Sequence, residues 1–171
     1  MNPSSPFSPI GLLITGGTLD KDYNAISGSL DFSQTHLMTL LNQANVSLSI
    51  QSEVLMLKDS LEMTLQDRQT ILTACLASPC QRLVITHGTD TLTDTAAFLL
   101  DSALPQSKTV VLTGAMRPFQ LGQSDAAFNL GSALMAAQLT NNGIYIAMNG
   151  ELFPATLTQK NRQQGVFEWL T

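Results

Sequence analysis

Threonine, glycine and aspartate residues recur together at two places in this 171-residue sequence. Thr18 follows a Gly-Gly pair, and Thr89 follows a His-Gly pair with Asp90 directly after it. A threonine hydroxyl becomes an effective nucleophile when a neighbouring base takes its proton. Glycine turns also expose main-chain N–H groups, which can stabilise the oxyanion that forms when an amide carbonyl is attacked. The two places therefore indicate nucleophilic chemistry on a carbonyl group.

Both hydroxyls belong to a four-residue pattern with threonine at each end, at residues 15–18 and 86–89. Thr, Ser and Asp also favour turns and helix caps, so a purely structural role is the alternative for any single turn of this kind. The repetition of the pattern after two apolar runs favours a functional role. Phosphate binding is a weaker interpretation, because neither the dinucleotide pattern nor the P-loop lysine follows any of these runs.

Five apolar runs of strand length alternate with helical patterns along the chain. The predicted strands are residues 10–15, 46–57 with an interruption, 82–86, 109–113 and 143–148, and the predicted helices are centred on residues 37–44, 64–75, 94–100 and 124–139. This order predicts an α/β fold with a doubly wound, mostly parallel sheet and helices on both faces, a Rossmann-like three-layer arrangement. Ligands of such sheets bind beyond the carboxyl ends of the strands, which is where Thr18 and Thr89 are expected.

Composition restricts the class of protein further. Hydrophobic residues make up 44% of the chain and charged residues 12%, with a net charge of −5. These values predict one globular domain over residues 1–171. The chain lacks basic runs, which argues against nucleic-acid and membrane partners. The first six residues lack the basic region of a signal peptide, so we expect a cytoplasmic protein with Cys75 and Cys80 reduced and no metal site.

Several segments resemble the bacterial-type L-asparaginase family in order and spacing. They are residues 15–18, 86–91 and 113–118, followed by 124–126 and 128–130, and the resemblance extends from about residue 10 to residue 167. The resemblance implies that Thr18 is the nucleophile and that Tyr23 lies on a mobile lid above it. It also implies that Thr89, Asp90 and Lys160 form a catalytic Thr–Lys–Asp set.

The same resemblance implies how a substrate is held. Ser60 matches the serine that binds the substrate α-carboxylate, Asp90 would hold the α-ammonium, and Gly17 and Gly88 line the binding site. The implied activity is cofactor-free hydrolysis of L-asparagine to aspartate and ammonia. The alternatives are an amidase for glutamine or another small amide, an amidase within a larger ammonia-producing assembly, and a non-enzymatic amino-acid sensor on the same fold.

Longer members of the family carry a second domain, which supplies an acid that helps to bind the substrate ammonium. The resemblance in this chain covers the first domain only, so it implies no residue in the place of that acid. The family and the sequence both predict a homodimer or homotetramer. The helix at residues 126–139 is apolar on nearly every side, and Phe153, Phe167 and Trp169 crowd the C-terminal region.

Other residues receive structural interpretations. The polar segment 20–29 is predicted to be the lid loop, and His36 is predicted to lie on a helix at the surface. His87 is predicted to make a structural hydrogen bond rather than to act in catalysis. Met116, Met135 and Met148 are predicted to fill the core or an interface.

Overall fold

The computed structural model describes residues 8–102, 104, 106 and 108–170, so the prediction about a signal peptide in residues 1–6 lies outside the described part. These described residues form ten strands, in chain order β1 (Ile10–Gly16), β2 (Lys21–Tyr23), β3 (Leu30–Phe32), β4 (Ile50–Lys58), β5 (Arg82–Thr86), β6 (Thr109–Thr113), β7 (Gly143–Met148), β8 (Glu151–Pro154), β9 (Thr158–Asn161) and β10 (Val166–Trp169). Four helices alternate with them: α1 (Leu37–Gln43), α2 (Leu65–Ala77), α3 (Leu92–Leu100) and α4 (Ala126–Leu139).

Six strands form the central sheet, in the order β4-β1-β5-β6-β7-β8. All neighbouring pairs are parallel except β7 and β8, which are antiparallel. The predicted doubly wound, mostly parallel sheet is therefore confirmed. Strands β4 and β5 lie on opposite sides of β1, so the direction of the chain connections reverses there. A cleft is expected at the carboxyl end of β1 and its neighbours.

Two hydrophobic cores cover the two faces of this sheet. Residues of α2 and α3 pack with Leu13 on one face, whereas residues of α1 and α4 pack with Leu12 and Ile14 on the other. Successive side chains of a strand point to opposite faces, so β1 contributes alternately to both cores. All residues of β1 and β6 are buried, which explains why these strands are continuous apolar runs.

Local signals place the helix that precedes β5. The Thr64 side chain accepts a hydrogen bond from the Asp67 N–H, and the Asp67 carboxylate accepts one from the Thr64 N–H. This is the capping box that the sequence predicts for α2. The Lys58 ammonium lies 2.7 Å from the same carboxylate. Its hydrogen bond and that of the Thr64 N–H lower the pKa of Asp67 to about 2.

Two short antiparallel hairpins lie outside the central sheet. Strand β2 lies in the segment 20–29 predicted to be the lid loop and pairs with β3, which directly follows that segment, and β9 pairs with β10. These strands are only three or four residues long, so they carry little of the alternation that identifies a strand. The predicted loop is therefore part of a hairpin that begins directly after a buried Asp20, and its role as a lid stays a prediction.

The prediction that His36 lies at the surface is wrong. His36 is only 3% exposed, and it directly precedes α1. The Gln120 amide nitrogen lies 2.9 Å from His36 Nδ1, and an oxygen of Asp22 lies 2.8 Å from Nε2. The ring therefore joins the β2–β3 hairpin to the turn before α4.

The exposure of the apolar residues on α4 and in the C-terminal region also differs from what the sequence predicts. Helix α4 buries one face, but it exposes a stripe formed by Phe128, Met135 and Leu139, which are 62%, 54% and 73% exposed. In contrast, Phe153 and Phe167 are buried by the chain itself. Trp169 packs on Phe153 with 5.2 Å between ring centroids. The C-terminal aromatic residues thus largely cover one another.

Candidate active site

The glycine turns after β1 and β5 lie against each other. Gly17 has φ +78°, a conformation that favours glycine. A Cβ atom added to it would lie 2.4 Å from the Gly88 nitrogen, so only glycine fits at this contact. The two turns that carry Thr18 and Thr89 are therefore neighbours, as their positions at the carboxyl ends of adjacent strands predict.

Ser60 connects a third turn to this pair. It begins a short helical turn after β4 and is 2% exposed. Its hydroxyl accepts a hydrogen bond from the Asp90 N–H at 3.2 Å, and its carbonyl accepts one from the Thr91 hydroxyl at 2.8 Å. A Cβ atom on Gly88 would lie 2.6 Å from the Ser60 Oγ. The turns after β1, β4 and β5 thus form one closely packed floor.

A lysine reaches this floor from the β9–β10 hairpin. The Lys160 Nζ donates to the Thr89 Oγ1 and to the Asp90 Oδ1, both at 2.8 Å, and its side chain is only 8% exposed. Opposite Lys160 in the hairpin, Phe167 is buried and its N–H donates to the Asn149 side chain. This contact anchors the hairpin beside β7, so the lysine is held by packing.

A second cation lies near Asp90. The guanidinium of Arg162 donates to the Asp90 carbonyl at 3.2 Å and lies 3.8 Å from its carboxylate. With a side chain that is 63% exposed, Arg162 is a surface contact, whereas Lys160 is the enclosed one.

Thr18 and Tyr23 are not part of the hydrogen-bonded group formed by Thr89, Asp90 and Lys160. Thr18 is half-buried, and its hydroxyl makes no hydrogen bond with any residue in the described ranges. Tyr23 is 58% exposed on β2 and is not in contact with the Thr18 hydroxyl through a hydrogen bond. The Lys21 ammonium lies 2.5 Å from the Asp59 carboxylate, which connects the Tyr23 hairpin to the Ser60 turn.

His87 lies directly beneath the floor. The ring is fully buried, with Nδ1 2.7 Å from the Gly88 carbonyl oxygen and Nε2 2.8 Å from the Thr95 hydroxyl. Burial lowers the pKa of His87 to about 4, against the opposing effect of the Gly88 hydrogen bond. The ring is therefore uncharged near neutral pH, and the predicted structural hydrogen bond is present.

Asp20 is a buried carboxyl that sequence reasoning missed. One of its oxygens accepts from the His36 N–H at 2.8 Å and from the Thr35 hydroxyl at 3.1 Å. The other oxygen has no partner among the residues that can be described. Burial raises the pKa of Asp20 to about 6. Within a polar segment, nothing in the sequence distinguishes Asp20 from its solvated neighbours.

The assembled groups are two threonine hydroxyls, an enclosed amine and a carboxylate at the carboxyl ends of β1 and β5. In the part of the chain that the structure describes, no three His, Cys, Asp or Glu side chains are placed to hold a metal ion. A hydroxyl beside an amine can lose its proton to that amine and attack a carbonyl carbon. The arrangement therefore suits acyl chemistry.

Comparison with known families gives this geometry a context. Residues 9–167 match the sequence model of the family described as asparaginase, N-terminal. The chain belongs to the asparaginase family. Asparaginases in this family act on amide C–N bonds, and the match covers the turns of Thr18, Ser60 and Thr89 as well as the Lys160 hairpin.

Individual asparaginase-family relatives carry different names. The chain is 33% identical over 156 residues to a subunit of the glutamyl-tRNA(Gln) amidotransferase of Methanococcus vannielii, covering 84% of this chain and 34% of the relative. It is 32% identical over 157 residues to a probable periplasmic L-asparaginase of Haemophilus influenzae, covering 85% and 44%. The chain thus spans less than half the length of these relatives.

A solved asparaginase structure agrees with the fold. A probable cytoplasmic L-asparaginase from Campylobacter jejuni superposes with a TM-score of 0.82 at 27% identity, covering 95% of this chain and 53% of that one. The doubly wound architecture is therefore shared with the corresponding half of an asparaginase. Among the described residues, no helix is long and apolar enough to span a membrane.

Proposed function

We propose that this chain is an L-asparaginase that hydrolyses the side-chain amide of asparagine through a threonine nucleophile. The observation that carries the proposal is the contact of the enclosed Lys160 amine with both Thr89 and Asp90 at 2.8 Å. A protein that only binds its ligand has no need of an amine enclosed beside a hydroxyl. This contact therefore favours an enzyme over an amino-acid sensor.

In the proposed reaction, the Thr18 oxygen attacks the amide carbon of the substrate. The hydroxyl proton passes to the Thr89–Lys160 pair, the C–N bond breaks, and the nitrogen takes up a proton and leaves as ammonia. Water then attacks the threonine ester, releases aspartate and restores the Thr18 hydroxyl. Covalent catalysis of this kind divides one difficult step into two easier ones.

The glycine turns supply the electrostatic part of the proposal. Each attack places negative charge on the carbonyl oxygen, and fixed main-chain N–H groups stabilise that charge best. Gly17 and Gly88 bring the main chain of two turns to the same place without intervening side chains. The oxyanion would be bound between these turns, next to Thr18 and Thr89.

Ser60 and Asp90 are proposed to hold the substrate. The Ser60 hydroxyl accepts from the Asp90 N–H, which leaves its own hydrogen for a carboxylate oxygen. The Asp90 carboxylate is 33% exposed and would bind the α-ammonium. Tyr23 would close over Thr18 as the hairpin moves toward the bound substrate.

A second candidate is an amidase for glutamine or another small amide. One observation favours it: a relative that matches 84% of this chain is named as part of a glutamyl-tRNA(Gln) amidotransferase. The chemistry at Thr18 would be the same. The two substrates would be distinguished by the distance between Ser60, which binds the α-carboxylate, and the Thr18 hydroxyl, which attacks the amide. Self-association as a homodimer or homotetramer and a cytoplasmic location also stay predictions.

Initial rates of ammonia release test both candidates. Purified protein is given asparagine, glutamine or succinamate over a range of concentrations, beside the Thr89→Val variant. Asparagine is expected to give the highest kcat/KM, with release abolished in the variant. A higher value for glutamine would select the second candidate. No release above the Thr89→Val background from any amide would refute the proposed function.

A further inference from the structure

His87 is the one fully buried histidine ring among the described residues, and the proposed reaction does not use it. Its two nitrogens contact oxygen atoms on opposite sides of the ring, the Gly88 carbonyl and the Thr95 hydroxyl. A carbonyl oxygen only accepts hydrogen bonds, so Nδ1 carries the proton of the uncharged ring. Nε2 is then an acceptor, and the Thr95 hydroxyl donates to it.

The hydrogen bonds continue beyond Thr95 to helix α2. The Arg68 Nε donates to the Thr95 Oγ1 at 3.1 Å, so the hydroxyl accepts on one side and donates on the other. The Met63 sulfur also lies 3.8 Å from this hydroxyl, but the imidazole nitrogen at 2.8 Å is nearer and a stronger acceptor. Arg68, Thr95 and His87 thus donate in one direction, toward Gly88. Such chains polarise their members and strengthen one another.

The end of this chain fixes a peptide unit of the site. The Gly88 carbonyl and the Thr89 N–H belong to one peptide, and no peptide among the described residues is cis. In a trans peptide the C=O and N–H point in opposite directions. With the carbonyl held by His87, the Thr89 N–H points away from the ring. Within residues 8–102 and 108–170, no protein acceptor receives its hydrogen.

We propose that Arg68, Thr95 and His87 are positioning residues that set the orientation of the Gly88–Thr89 peptide, and thereby of the Thr89 hydroxyl and N–H. The inference rests on the proposed function, because those two groups act on the substrate only in that reaction. Arg68 also donates to the Met63 carbonyl at 3.3 Å, close to the Ser60 turn. One guanidinium therefore connects the turns after β4 and β5.

The electrostatics of the ring are consistent with this role. Burial is the main reason that the pKa of His87 is lowered, and the positive charge of Arg68 lowers it further. A charged ring would carry a proton on Nε2 and would lose the hydrogen bond from Thr95. The arrangement keeps the acceptor available over the physiological pH range.

Thr95→Val tests the chain, because it removes the hydroxyl and keeps the shape. We expect kcat to fall by about tenfold or more with KM within about twofold of the parent, since small displacements of reacting groups are costly. Arg68→Met is expected to lower kcat as Thr95→Val does. Thr95→Ser keeps the hydroxyl and is expected to have a kcat near that of the parent. The matched control is Thr109→Val, a 2% exposed threonine at the opposite end of the sheet.

A spectroscopic measurement separates this inference from the activity. In ¹⁵N-labelled protein, His87 is expected as the Nδ1–H tautomer, and the Thr89 amide signal is expected to shift in Thr95→Val and Arg68→Met but not in Thr109→Val. If the parent releases no ammonia, the proposed function fails and this measurement still decides the inference. An unshifted Thr89 signal, an unchanged kcat in Thr95→Val, or an equal loss in Thr109→Val would overturn it.

Discussion

The Thr18 and Thr89 hydroxyls differ in their surroundings although they follow nearly identical turns. Thr89 is 5% exposed and receives a hydrogen bond from Lys160, whereas Thr18 is half-buried and has no such partner among the residues described. A half-buried hydroxyl is accessible to a substrate, and an enclosed one beside an amine is suited to proton transfer. This asymmetry is consistent with the proposed assignment of Thr18 as nucleophile.

Loss of either hydroxyl is therefore expected to stop turnover while the fold persists. Thr18→Ala and Thr89→Val should each lower ammonia release by roughly 10²-fold or more. The double variant should lose much less than the product of the two effects, because residues that act as a unit are not additive. Near-normal turnover in a single variant with unchanged circular dichroism would remove that residue from the mechanism.

Lys160→Met should abolish turnover and leave substrate binding largely intact, because methionine keeps the stem and deletes the proton acceptor. Lys58→Met is the matched control, since the Lys58 ammonium also pairs with a carboxylate at 2.7 Å, that of Asp67, and only the Lys58 main chain contacts the Gly17 turn. Full activity of Lys160→Met in a steady-state assay would contradict this role, and Arg162 cannot replace the base because it is permanently charged.

Asp20 gives a prediction about stability. Its folded pKa of about 6 lies above the ordinary 3.8, so the folded state binds the proton more tightly than the unfolded state. Its ionisation therefore lowers stability as pH rises from about 4 to about 6. Asp20→Asn should remove this loss and gain roughly 3 kcal/mol relative to the parent above pH 6.

Urea unfolding of both proteins at pH 4.5 and pH 7.5 measures the gain. Asparagine keeps the oxygen that accepts from Thr35 and from the His36 N–H but replaces the other oxygen by an NH2 group. The change of the stability difference with pH therefore isolates the charge. An advantage of Asp20→Asn that does not increase with pH would contradict the burial of an ionisable Asp20.

At the scale of elements, the sequence predicts the buried strands far better than the exposed ones. The bounds of β5, β6 and β7 agree with their predictions, because a strand covered on both faces is a continuous apolar run. Strand β4 begins at Ile50 rather than Val46, since it is half exposed at the edge of the sheet. The β2–β3 and β9–β10 hairpins could not be predicted, because their strands of three or four residues are too short to show a periodic pattern.

In the candidate site, too, the residues that belong to a repeated local pattern could be predicted and the others could not. The repeated turns at Thr18 and Thr89 are visible because glycine and threonine recur at strand ends. The position of Lys160 depended on family resemblance alone, because its hairpin has no periodic pattern. The buried states of Asp20 and His36 arise from tertiary contacts with each other and with Gln120, across 84 residues of sequence. Contacts between residues so far apart in the chain cannot be predicted from local sequence patterns.

The contact between the two glycine turns can be tested with a matched pair of substitutions. Gly17 and Gly122 have similar backbone angles, φ 78° ψ −178° and φ 69° ψ 169°. Alanine at either position is expected to cost about 1–3 kcal/mol for this conformation. Only at Gly17 would the new Cβ atom also meet a backbone atom at 2.4 Å, because nothing lies within 4 Å at Gly122.

Gly17→Ala should therefore lose ammonia release and more stability than Gly122→Ala, which should keep its activity. Thermal unfolding and initial rates of both variants provide the comparison. Equal losses in the two variants would mean that the turns after β1 and β5 are not in close contact.

At the scale of the whole molecule, the exposed stripe of α4 predicts self-association. Phe128, Met135 and Leu139 form an apolar surface of a kind that soluble monomers seldom leave open. Light scattering coupled to size exclusion at micromolar concentration should give a dimer or tetramer, and Met135→Lys should dissociate it. A parent mass near the 18.4 kDa of one chain would contradict the prediction.

The position of Lys160 on a separate hairpin also affects the nascent chain. Ribosomal synthesis makes the turns of Thr18 and Thr89 first, and Lys160 follows Thr89 by 71 residues. Strands β1, β4 and β5 can pair while β9 and β10 are still inside the exit tunnel. A growing chain then carries both hydroxyls without the amine. In the proposed mechanism, the unfinished protein would therefore be inactive until the hairpin emerges and docks.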